Sequence, residues 1–95
     1  MKRILAATDF STRSHRAVQR AALLAKANGA ELTLVHVVDD DQPQEIVDAE
    51  VRTAGAFLRE QIASLPELVG IDCRPEVAMD DPFDGILRTA EASGA

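Results

Sequence analysis

Apolar residues recur along this chain with two periods, one suited to buried strands and one to helices. Residues 3–8, Arg-Ile-Leu-Ala-Ala-Thr, form a short, nearly continuous apolar run ending at Asp9. Such a run fits a parallel strand buried on both faces better than an alternating strand with one wet face. Ser11 or Thr12 can then cap a helix in which Ala17, Val18, Ala21, Ala22, Leu24 and Ala25 recur at helical spacing, and Asn28-Gly29 supplies a left-handed stop. Residues 31–38, Glu-Leu-Thr-Leu-Val-His-Val-Val, are rich in β-branched side chains and turn abruptly into Asp39-Asp40-Asp41. That pattern predicts a second buried strand with a solvated end.

The alternation continues in the second half. Asp41 and Gln44 have capping-box spacing, Pro43 falls in the first turn, and Val47, Val51, Ala54, Leu58, Ile62 and Leu65 mark one face of a long helix ending at Pro66. Ile71, Cys73 and Val77 alternate weakly around Pro75. Proline in a ladder is tolerated mainly at an edge, so the third strand is predicted to be an edge strand. Asp81-Pro82 opens a third helix as cap and first helical residue, with Phe83, Ile86, Leu87 and Ala90 on one face and Ser93-Gly94 at the stop. The order β-α-β-α-β-α with short connections predicts an α/β fold with an open parallel sheet and right-handed crossovers. A length of 95 residues accommodates one domain. A helix closing in Ser-Gly-Ala ordinarily feeds another buried strand, so residues 1–95 are expected to be a single domain incomplete at its C-terminus.

Composition narrows the functional classes. Apolar residues make up 46% and charged residues 27%, near globular averages, which excludes disordered and fibrous chains. The formal net charge of −6 repels nucleic-acid phosphates and anionic membranes, so neither is an expected partner. With no Trp or Tyr and three Phe (Phe10, Phe57 and Phe83), the chain lacks the aromatic platforms on which bases stack. Cys73 is the single cysteine, and no signal-peptide pattern or long apolar run precedes the first predicted strand, so a reducing cytoplasm is the expected compartment. Neither Gly-x4-Gly-Lys-Ser/Thr nor Gly-x-Gly-x-x-Gly occurs, and Thr-Asp-Phe-Ser follows the first strand instead. P-loop and Rossmann chemistries are thereby set aside.

Few side chains carry chemistry. His36 and His15 have no metal-ligand spacing, and His36 reads as a structural histidine. The run Asp39-Asp40-Asp41 departs from a calcium loop, because Pro43 and Gln44 stand where a ligand and the turn glycine belong. It reads as a solvated loop and helix cap, and no metal site is expected. Cys73 reads as a small buried hydrophobe. Ser11 and Ser14 offer hydroxyls for phosphorylation, although capping accounts for Ser11. Asp9, at the boundary of the first strand and helix, suits a carboxylate that caps backbone N–H groups in the favourable field of the helix dipole.

Three motifs in order give a wider context: Lys2-Arg-Ile-Leu-Ala-Ala-Thr-Asp-Phe-Ser11 before a helix, Leu34-Val-His-Val-Val-Asp39, and Asp81-Pro82 before a helix ending Glu91-Ala-Ser-Gly-Ala95. Together they resemble the universal stress protein family along the whole chain. The resemblance implies a flavodoxin-like, adenine nucleotide alpha hydrolase-like sheet of order 3-2-1-4-5, of which this chain would hold strands 3-2-1. It also implies a cytoplasmic stress-response role, frequent homodimers and, in one subgroup, adenine-nucleotide binding. Carried over residue by residue, the nucleoside contacts fall on Ala7, Thr8 and Asp9 at the end of strand 1 and on Val37 near the end of strand 2. The family's phosphate loop, Gly-x2-Gly-x9-Gly-Ser/Thr after strand 4, has no counterpart in these 95 residues, nor do strands 4 and 5.

The leading expectation is a binding and signalling module rather than an enzyme, since no residue is placed as a base beside a phosphate cradle; if the complete form belongs to the nucleotide-binding subgroup, its ligand is ATP or a related adenine nucleotide. Independently of the family, open parallel sheets bind ligands beyond the carboxyl ends of their strands where the order reverses, which places the crevice beside strand 1. The competing expectation is a non-nucleotide, dimer-forming stress protein that recruits a second chain at an apolar edge along Ile4, Leu5, Ala6 and Ala7. A weak adenine-nucleotide hydrolase is the third.

Overall fold

In the computed structural model, which describes residues 2–79 and 89–91, the first apolar run forms β1 (Arg3–Ala7) and leads into α1 (Thr12–Asn28). The β-branched run forms β2 (Glu31–Val38), followed by α2 (Gln44–Ser64), a 3-10 turn (Pro66–Leu68) and β3 (Cys73–Met79). The three strands are parallel in the order β1-β2-β3, with β3 and its Pro75 at an edge, as the sequence predicts. The expected third helix lies outside the described residues except for 89–91, which are helical.

Register explains which side chains form the core. Ile4, Leu32 and Cys73 stand abreast, as do Ala6, Leu34 and Pro75, and paired residues of parallel strands point to one face. Ala6, Leu32 and Leu34 pack in one cluster with Val18, Ala22 and Ala25 of α1, Leu58 of α2 and Leu68 of the 3-10 turn. Both long helices therefore cover this face. Val35 points to the other face and is also fully buried, so β2 is enclosed on both sides, as its unbroken apolar run requires. At the opposite end of the strands, the Arg3 guanidinium pairs with the Glu31 carboxylate at 3.3 Å across the same register.

Helix boundaries follow local chemistry. Ser11 is the N-cap of α1, its hydroxyl accepting the Ser14 N–H at 3.2 Å. Gly29 ends α1 at φ 63°, and its N–H donates to the Ala25 carbonyl. Two expectations are corrected. Asp41 does not cap α2: the N-cap is Pro43, whose carbonyl takes the N–H groups of Ile46 and Val47, and the Gln44 amide donates to Asp48 at 2.8 Å. Pro43 lacks an N–H, so the helix starts after it and leaves the Asp41 carboxylate two residues too early to cap. Ala17 and Leu24 do not face the core, because the narrow contact of α1 with the sheet is filled by Val18, Ala21, Ala22 and Ala25. The sequence reading also missed the 3-10 turn, which Pro66 opens and which seats Leu68 in the core.

Candidate strand-end site

The chain leaves β1 through a turn built almost entirely from its own hydroxyls and one carboxylate. Thr8, 5% exposed, continues the ladder by donating its N–H to Val35 at 2.9 Å. Its hydroxyl oxygen accepts the N–H of Phe10 at 3.0 Å, and Phe10 adopts φ 66°. For a bulky residue this left-handed backbone costs on the order of 1–3 kcal/mol and persists because surrounding contacts enforce it. Those contacts are aromatic: the Phe10 ring stacks on His36 at 4.6 Å and leans on Phe57 at 5.5 Å.

Asp9 organises the other side of the turn. Its Oδ1 accepts the Ser11 N–H at 2.9 Å and the Ser14 hydroxyl at 2.7 Å. Ser14, one turn into α1, accepts in return from the Asp9 N–H at 3.2 Å and stands 3.1 Å from the Thr8 hydroxyl. An ionised carboxylate can only accept, so the Ser14 proton points at Asp9 and the Thr8 proton points at Ser14. Hydrogen bonding from the Ser11 and Ser14 side chains, and then from the Ser11 backbone, holds the Asp9 carboxyl well below the usual carboxylate range. Asp9 is thus ionised near neutrality and caps Ser11, the residue that in turn caps α1.

A cavity of about 320 Å³ opens at the carboxyl ends of β1 and β2. Ala7, Thr8, Asp9 and Ser14 line it from the first strand and its turn, and Val35, His36 and Val37 from the second. The four residues singled out from the sequence, Ala7, Thr8, Asp9 and Val37, thus come together around one space. Ser14, Val35 and His36 were not anticipated there. The Ser11-x-x-Ser14 spacing carried a signal for Ser14, since the third residue of a capped helix faces its cap. For His36 no local signal exists, because its partners lie across the sheet.

The remaining candidates have local explanations. Asp39 Oδ1 accepts the Asp41 N–H at 2.9 Å, and the Gln42 amide reaches the Asp39 carbonyl at 2.7 Å, which closes the acidic run into a turn. Among the described residues, no group of three or more His, Cys, Asp or Glu side chains could hold a metal ion. Cys73 is half-buried, and burial followed by the neighbouring Asp72 charge pushes its thiol up to about 11, away from thiolate chemistry. No helix among the described residues is long and apolar enough to cross a membrane.

Comparison with known proteins agrees with this architecture. The model of the universal stress protein family matches residues 1–95. Among curated proteins, none matches the chain. Among solved structures, the universal stress protein UspA from Lactobacillus plantarum is similar at 25% identity and a TM-score of 0.80, over 98% of this chain and 70% of that one. A protein of the universal stress protein family from Burkholderia pseudomallei is similar at 25% identity and a TM-score of 0.74, over 99% of this chain and 76% of that one. A universal stress protein in complex with cAMP shares the fold at 19% identity and a TM-score of 0.73, over 99% of this chain and 71% of that one.

Proposed function

Because the chain belongs to the universal stress protein family, we propose that it is a cytoplasmic stress-response binding module whose strand-end cavity takes the nucleoside part of an adenine nucleotide. One observation carries the reading: Ala7, Thr8, Asp9 and Val37, from two adjacent parallel strands, line a single cavity at their carboxyl ends. Open parallel sheets take their ligands in that position. The structure solved with cAMP makes adenine nucleotides the first class to try. Asp9, kept ionised by its serine donors, offers acceptor oxygens to a ribose hydroxyl or the adenine amino group. Val37 and Ala7 offer apolar surface to the base.

The role proposed for the site is binding. Among the described residues around the cavity, no side chain stands as a general base beside a phosphate cradle, and the net charge of −6 disfavours a polyanion. Nucleoside contacts therefore dominate in these 95 residues. Calorimetric titration with adenosine, AMP and ATP tests this: saturable binding is expected for all three, with affinities within roughly an order of magnitude because no phosphate loop separates them. Absence of heat with all three would defeat the reading.

The competing reading, a stress protein acting through association with a second copy, draws on β1, which ends the sheet order among the described residues. The expected apolar edge is only partly open: Ile4 and Leu5 are half-buried, Ala6 is buried and Ala7 is exposed. That reading predicts concentration-dependent sedimentation and no heat on ATP titration.

A further inference from the structure

His36 touches both residues that flank Asp9. Its Nδ1 lies 2.8 Å from the Thr8 carbonyl oxygen, which can only accept, so Nδ1 carries a proton and donates it. Its ring stacks on Phe10 at 4.6 Å with an interplanar angle of 28°. β1 ends at Ala7, so beyond the Thr8 N–H the sheet ladder no longer fixes the chain that carries Asp9. The two His36 contacts take over where the ladder stops. The imidazole also lines the strand-end cavity on one side and, on the other, a second cavity of about 300 Å³ bounded by Phe10, Glu50 and Phe57.

We propose that His36 is a positioning residue of this site: by holding the Thr8 carbonyl and the Phe10 ring, it aims the Asp9 carboxylate at a ligand in the strand-end cavity. Without the Nδ1 donor, a half-buried carbonyl loses its partner and the left-handed turn at Phe10 loses one restraint. Asp9 keeps its bonds to Ser11 and Ser14, but the backbone on either side of it is held less firmly, and the cost of fixing it when a ligand arrives is subtracted from affinity. The affinity consequence rests on the nucleotide reading above, whereas the geometric claim does not.

His36→Phe keeps a ring for Phe10 to stack on and removes the donor to Thr8. Isothermal titration with ATP is expected to show roughly five- to tenfold weaker binding, the equivalent of one hydrogen bond. The decisive measurement is the same substitution in an Asp9→Ala background. A residue that acts through Asp9 loses its effect once Asp9 is gone, so the two losses are not additive. Equal losses from His36→Phe in both backgrounds, or no loss in either, overturn the proposal. Should His36→Phe fail to fold, Phe10→Leu removes the stack from the other side and carries the same cycle. If wild-type protein binds no adenine nucleotide, the nucleotide reading falls, and amide resonances then decide the geometric claim. Displacement of the Asp9 and Ser11 resonances by His36→Phe supports it, and changes confined to residues 34–38 refute it.

Discussion

Ser14 donates its hydroxyl to Oδ1 of Asp9 across 2.7 Å, joining the first turn of α1 to the second residue past the end of β1. This bond makes Asp9 a structural member of the turn as well as an open carboxylate at the rim of the cavity. The capping and binding readings of Asp9 are therefore compatible, and variants can separate them.

Asp9→Asn keeps an oxygen for the Ser11 N–H and the Ser14 hydroxyl but removes the charge, whereas Asp9→Ala removes both. ATP affinity is expected to fall about tenfold in Asp9→Ala, the scale of a charge-assisted hydrogen bond. Calorimetry on both variants, with circular dichroism to verify folding, checks this. Equal affinity in Asp9→Ala and wild type would leave Asp9 as a cap alone.

The depressed Asp9 carboxyl also links stability to pH. A group whose pKa is lower in the folded state stabilises fully above its unfolded value of about 3.9, and that stabilisation is lost as pH falls below it towards the folded value. Thermal melts of the wild type minus those of Asp9→Asn should thus give a difference that is constant above pH 5 and shrinks below pH 4. A difference independent of pH across that interval would contradict the serine-held carboxylate.

At Phe10, substitution by glycine and by alanine removes the same ring but leaves different backbones. Since φ is 66°, glycine is expected to be the more stable of the two by about 1 kcal/mol. Gly29→Ala offers the converse: no atom lies within 4 Å of the added Cβ, so a loss of about 1 kcal/mol would come from the left-handed backbone alone. Urea unfolding midpoints measure both differences.

Leu58 and Leu24 test which helix faces carry stability. Leu58→Ala, at a fully buried site joining α2 to the sheet, is expected to cost about 2–5 kcal/mol. Leu24→Ala, at a residue 57% exposed on α1, should stay within about 0.5 kcal/mol of wild type. A large loss at Leu24 would show that α1 has a partner on its outer face.

The sequence disclosed those features whose causes are local. The unbroken apolar runs marked β1 and β2, Gly29 marked the end of α1, and Pro75 placed β3 at an edge, each for a reason contained within a few residues. Capping-box spacing misled at Asp41 because the proline two residues later defines its own start. Leu24 misled because helical spacing gives a face but not the width of its contact. Family motifs singled out Ala7, Thr8, Asp9 and Val37, which the structure places around one cavity. His36 and the turn at Phe10 were not singled out, because they meet across 26 residues only once the register Ala7↔Val35 is formed.

The central claim, that an adenine nucleotide occupies the space beyond β1 and β2, is most directly tested by titrating ATP into ¹⁵N-labelled protein and mapping the amide resonances that move. The account predicts the largest displacements at Ala7, Thr8, Asp9 and Val37, saturating together at one affinity. Displacements centred on Glu50 and Phe57, or none at millimolar ATP, would contradict it.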